Sequence, residues 1–77
     1  MRKTHELKIL TIHFEGVLSG LKKAEFRLGD RDYEVDDLII LREFNKGKYT
    51  GRVLTKSIGH ITDLKGYADG YLMLSFK

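Results

Sequence analysis

The 77-residue sequence contains no cysteine and no proline. The first absence excludes disulfide staples and cysteine-based zinc sites. The second excludes proline-rich linkers. No apolar run approaches the roughly 20 residues a helix needs to cross a bilayer, so no membrane partner is expected. The opening MRKTHELKIL is basic but has no apolar stretch and no small-residue cleavage site, so it does not read as a secretory signal. Domains of this size without disulfides are more usual inside cells, which points to the cytoplasm. His5, His13 and His60 are the three histidines and have no metal-ligand spacing, so neither a metal nor a cofactor is expected. No internal repeat, nucleophile-elbow serine or phosphate-cradling glycine loop is present.

What is there is globular. Hydrophobic residues make up 42% and charged residues 32%, a balance that folds rather than stays disordered. The length sets a single domain, residues 1–77, that buries only about 60% of its unfolded surface. Stability must come from packing. A net charge of +3 and a pI near 9.3 permit nucleic-acid contact without demanding it.

Periodicity divides the chain. HELKIL, His5 to Leu10, alternates as a half-buried strand. Thr11 offers a helix N-cap and Glu15 an acidic first turn. Phe14, Val17, Leu18 and Leu21 then recur at helical spacing, and Gly20 is a stop. Within that short helix, about Ile12 to Ser19, Gly16 costs up to ~1 kcal/mol relative to alanine and marks a close backbone approach. From Lys23 the period is two: Ala24, Phe26 and Leu28 share one face, Lys23, Glu25 and Arg27 the other. GDRD, Gly29 to Asp32, is a turn. DLIILREF, Asp37 to Phe44, has four consecutive apolar residues and reads as a strand covered on both faces. NKGK, Asn45 to Lys48, signals a hairpin. Tyr49 to Thr62 is a long strand whose glycines at 51 and 59 suggest a bulge or bend. DLKGYADG is a loop, and YLMLSFK the last strand. One short helix cannot cover an open sheet of about five strands. The expectation is therefore a mainly β fold with one short helix, curled into a small barrel.

The densest charge lies in GLKKAEFRLGDRDYEVDD, Gly20 to Asp37, with ten charged residues among eighteen. Within it, Gly20, Lys22, Glu25 and Arg27 fit the pattern G-x-K-x-x-E-x-R. This resembles the signature of the ASCH domains (activating signal cointegrator homology) of the PUA-like superfamily. HELKI, the helix ending LSG, DRDYEV, LREF, YTGR and the closing GY-L-LS strand look like a small bacterial and phage branch of that superfamily. The resemblance implies a PUA-like pseudo-barrel and RNA recognition. One departure is Val35-Asp36-Asp37, where such domains commonly read V-G-D; a glycine tolerates a positive φ that aspartate adopts less readily.

If Ala24, Phe26 and Leu28 fill the barrel, Lys23, Glu25 and Arg27 face outward, with Glu25 and Arg27 about 6.6 Å apart at ~3.3 Å per residue. Lys22 belongs to the helix–strand junction. Lys22, Glu25 and Arg27 then line the seam between helix and barrel, a concave place where ligands collect. Arg27 would grip a phosphate or carboxylate, and Glu25 would hold Arg27 or accept from a base amine. The competing reading is a plain Glu25–Arg27 ion pair. Arg31 is a candidate, or is neutralised by Asp30 and Asp32 in the turn. Lys46, Lys48 and Arg52 with Tyr49 between them resemble a backbone-contact patch with a stacking aromatic, or a solvated hairpin tip. Tyr67 would stack a base, or pack over the barrel end.

Two functions from different classes follow. The first is an RNA-binding module using Gly20, Lys22, Lys23, Glu25, Arg27, Arg31, Lys48, Arg52 and Tyr67; no recognition helix is present for major-groove reading. The second is a hydrolase acting on modified nucleosides or RNA, with Lys22 as base or nucleophile and Glu25 beside it. ASCH relatives that act as amidohydrolases on acylated cytidine carry threonine where Glu25 stands. They also use a glutamate in the second half of the chain, and this sequence has none after Glu43. A protein-interaction adaptor using an exposed strand edge is a third class that no sequence feature supports.

Overall fold

Leu7 and Ile9, alternating with Glu6 and Lys8, form β1 (Thr4–Leu10), followed by α1 (Thr11–Leu18), β2 (Ala24–Leu28), β3 (Leu38–Asn45), β4 (Lys48–Asp63) and β5 (Tyr71–Phe76). This is a computed structural model, and it describes residues 2–77. The fold is mainly β with one short helix. No helix among the described residues is long and apolar enough to cross a membrane.

The helix starts at its expected cap, one residue earlier than read from the sequence. Leu10 is the N-cap and Thr11 the first helical residue, with no side-chain cap bond. Glu15 lies past the first turn and reaches Arg52 instead. The chain leaves the helix through Gly20, whose φ of 83° lets its N–H donate to the Val17 carbonyl at 3.1 Å, a C-terminal device that favours glycine. Gly16 is a point of close approach: a Cβ there would meet the Lys22 Cβ at 3.2 Å, and the Lys22 N–H donates to the Gly16 carbonyl at 2.9 Å. The helix end and the start of β2 are thereby locked together.

The five strands make one sheet in the order β1-β3-β4-β5-β2. β1 runs parallel to β3, and the other pairs are antiparallel. The sheet is open, which corrects the expected PUA-like pseudo-barrel. Closure requires the two edge strands, β1 and β2, to pair. Instead β1 pairs with β3 and β2 with β5, and each leaves its other edge free of a ladder. A side chain joins the edges: Arg27 Nη2 of β2 donates to the Lys8 carbonyl of β1.

Register shifts fall at Arg42/Phe44 in the β3–β4 pair and at Ile58/His60 in the β4–β5 pair, matching the bends expected near glycines 51 and 59. β3 is not equally covered on both faces. Ile39 and Leu41 are fully buried while Leu38 and Ile40 are half-buried.

The core lies on one face of the sheet. Leu7, Ile9, Ile39, Leu41, Ile58 and Leu74 point into it, with Phe14 and Val17 of α1 as its lid and Tyr33 closing one side. Fully burying a side chain of this size contributes about 1.5–3 kcal/mol, and Phe14 and Val17 are what hold the helix down.

The largest departure from the sequence reading is on β2. Glu25 stands opposite Leu74 and Arg27 opposite Leu72, so both face the core. Ala24, Phe26 and Leu28 form the outer row, with Phe26 and Leu28 49% and 48% exposed. Phe26 stacks parallel on Tyr71 of β5 with centroids 4.9 Å apart, and that contact stabilises the outer row without burying it.

Candidate nucleic-acid groove and its charge clusters

Glu25 is the hub of the first cluster. It is buried at 5% exposure, and each carboxylate oxygen takes one cation: Lys22 Nζ at 2.8 Å and Arg27 Nη2 at 2.8 Å. A buried carboxylate without such partners would be costly. The sequence folds this way because the Gly16–Lys22 lock brings Lys22 over the start of β2, three residues from Glu25. Lys22, Glu25 and Arg27 do converge, but as an internal bridge. Lys22 Nζ is held by Glu25, so the cluster is an ion-pair bridge between the helix end and β2.

Beside this bridge, between α1 and the sheet, runs a groove of about 380 Å³ lined by Val17, Gly20, Lys22, Lys23, Lys56, Phe76 and Lys77. Val17 and Phe76 give it an apolar floor, and four lysines stand round it. Lys22 is paired to Glu25 and Lys77 to Asp36. Among the described residues, Lys23 and Lys56 have no carboxylate within ion-pair distance, and Lys56 is half-buried. Lys56 stands opposite Ile39, on the core face. Phe76 is tied in by its N–H to the Lys23 carbonyl at 2.9 Å, which fixes the two sides of the groove against each other.

The second cluster fastens the helix. Arg52 grips Glu43 with Nε on Oε1 at 2.9 Å and Nη2 on Oε2 at 2.6 Å, meets Glu15 of α1, and lies over the Phe14 ring, 4.7 Å from its centroid. The Arg52 and Thr50 hydrogen bonds outweigh burial and hold the Glu43 carboxyl down at about 2. Arg52 is therefore a clamp rather than a free phosphate contact.

The third cluster organises the turn into β3. Asp37, 1% exposed, accepts from His5 Nε2 at 2.8 Å and from the N–H groups of Lys3 at 2.9 Å and Glu34 at 3.0 Å. Burial pushes its carboxyl up, but these hydrogen bonds win and hold it at about 2. His5 is thus a structural partner, and no group of three or more His, Cys, Asp or Glu among the described residues has metal-holding geometry.

The remaining candidates scatter. Lys48 is exposed at the β3–β4 hairpin. Tyr49 there is covered on one face by Arg42, 3.9 Å from its centroid. Tyr67 is 95% exposed in the β4–β5 loop and does not pack over any end of the fold. Asp32 goes to Lys3, and Arg31 has no carboxylate within ion-pair distance among the described residues. Sequence reasoning missed Lys56, Lys77 and the apolar floor Val17 and Phe76. For Lys56 a signal existed: it shares strand parity with Leu54 and Ile58.

Residues 4–76 match the family described as "Domain of unknown function (DUF3850)". The chain is also 43% identical over 74 residues to a protein of Escherichia phage P2 described as "Uncharacterized 12.9 kDa protein in GpA 3'region", an alignment covering 96% of this chain and 68% of that one. These matches, with the open sheet, replace the ASCH and PUA-like assignment suggested by the G-x-K-x-x-E-x-R pattern. The bacterial and phage flavour of the resemblance is what remains of it.

Proposed function

This chain belongs to the DUF3850 family, and we propose that it binds single-stranded RNA in the groove between α1 and the sheet. The observation that carries the reading is the groove itself: about 380 Å³, ringed by Lys22, Lys23, Lys56 and Lys77 over an apolar floor of Val17 and Phe76. Lysines meet successive phosphates as point charges. An apolar floor accepts the face of an unpaired base. Glu25 acts one step back, holding Lys22 at the groove wall through its ion pair. The mild excess of positive charge, +3, favours association with a polyanion.

The test is a fluorescence-anisotropy titration of a labelled single-stranded RNA, with an RNA duplex of equal length beside it, at low ionic strength. The single strand binds and the duplex binds more weakly, because a paired base cannot enter the groove. No binding of the single strand, or duplex binding as tight as the single strand's, contradicts the proposal.

A further inference from the structure

We propose that the opening between the two unpaired sheet edges is a second, separate site, one that takes a phosphate monoester. A pocket of about 100 Å³ lies there, lined by Leu7 of β1, Arg27 and Leu28 of β2, and Asp30, Arg31 and Tyr33 of the segment that follows. It differs from the lysine groove in every lining residue. The volume admits a phosphate group and leaves an attached nucleoside outside.

Three independent features point to an oxyanion. Arg27 spends Nη2 on Glu25 and on the Lys8 carbonyl, and its buried Nε has no partner. Buried donors are nearly always satisfied, so this one asks for an acceptor. Arg31 has no carboxylate partner among the described residues, its neighbour Asp32 being taken by Lys3. Tyr33 lines the same hollow beside Arg27 and Arg31. Two guanidinium groups and a phenol around a small hollow match a phosphate's several acceptor oxygens. Asp30 is the opposing charge in the lining, and it weakens a dianion rather than excluding it.

The site exists because the sheet does not close. Backbone pairing of β1 with β2 would place a ladder through this opening. Arg27 holds the edges at side-chain distance, and the room it leaves is the pocket.

The test is isothermal titration of the full chain with uridine 5′-monophosphate, inorganic phosphate and uridine, at pH 7.5 and low ionic strength, where the monoester is close to a dianion. No RNA is present, so failure of the groove proposal leaves the outcome readable. Uridine 5′-monophosphate binds and uridine does not. Arg31→Ala, in an exposed loop, weakens the monophosphate about tenfold, in line with loss of one charged hydrogen-bonding group. Asp30→Asn tightens it, and Lys56→Ala leaves it unchanged. The proposal is overturned by no binding of the monophosphate, by an Arg31→Ala variant that binds like the parent, by loss through Lys56→Ala, or by binding of inorganic phosphate with the monoester excluded.

Discussion

Glu25 Oε1 lies 2.8 Å from Lys22 Nζ across the junction of α1 and β2. The other oxygen of the same carboxylate holds Arg27 Nη2, and Arg27 in turn reaches the Lys8 carbonyl on the far edge of the sheet. One buried glutamate therefore joins the helix end, one sheet edge and, through Arg27, the other edge. Glu25→Leu leaves two partly buried cations without their acceptor, and unfolding in urea is expected to show a loss of about 3–5 kcal/mol. Glu25→Gln keeps one acceptor and loses less.

The outer row of β2 gives a sharper check on which face is inside. Phe26 is 49% exposed and Phe14 2% exposed. Phe26→Ala is expected to cost about 1 kcal/mol, mostly its stacking on Tyr71. Phe14→Ala is expected to cost about 3–5 kcal/mol. Equal losses in chemical denaturation would put Phe26 in the core.

That row also marks where the sequence stops being legible. Alternation from Ala24 to Leu28 identifies a strand, but period two alone does not say which row is buried. Hydrophobicity favours Phe26 and Leu28, and it is overruled because Glu25 and Arg27 neutralise one another and gain Lys22. The strands, the helix and the Asn45–Lys48 hairpin follow from local pattern, since each is decided within a few residues. Closure of the sheet does not, because it depends on whether β1 meets β2, residues far apart in the chain. Lys22 is readable as a seam residue, and Lys23 only as one of the outward row. Lys77 enters the groove only through the register of β5, which no local pattern encodes.

Asp36 occupies the left-handed region at φ 78°, at the position where a glycine would be unstrained. Its side chain pairs with Lys77 at the exposed surface, a contact worth little there. Asp36→Gly is expected to be stabilising by about 0.5–1 kcal/mol, read as a rise in the melting temperature, after part of the strain relief is offset by the greater freedom of an unfolded glycine.

Acid stability follows from Asp37 and Glu43, both held at about 2 in the folded chain against ordinary values of 3.8 and 4.5. A depressed carboxyl stabilises the fold above its unfolded pKa, and that stabilisation is lost as pH falls through the folded value. The urea midpoint is therefore expected to fall as the pH drops from about 4.5 towards 2, with these two groups adding no slope between pH 5 and 7. Asp37→Asn lowers stability at neutral pH and flattens the acid limb. An unchanged acid limb in that variant would assign the transition to other groups.

The salt dependence of RNA binding tests the groove most directly. For a single strand the logarithm of affinity falls against the logarithm of salt with a slope of about −0.7 per phosphate neutralised. Lys23 and Lys56, which line the groove and have no carboxylate partner among the described residues, are each expected to account for one such contact. The double substitution Lys23→Ala, Lys56→Ala should reduce the steepness by about 1.4, while Lys48→Ala, at the distant hairpin, leaves it unchanged. A double variant with the parent's slope, or a slope that responds to Lys48 instead, would contradict the assignment of RNA to this groove.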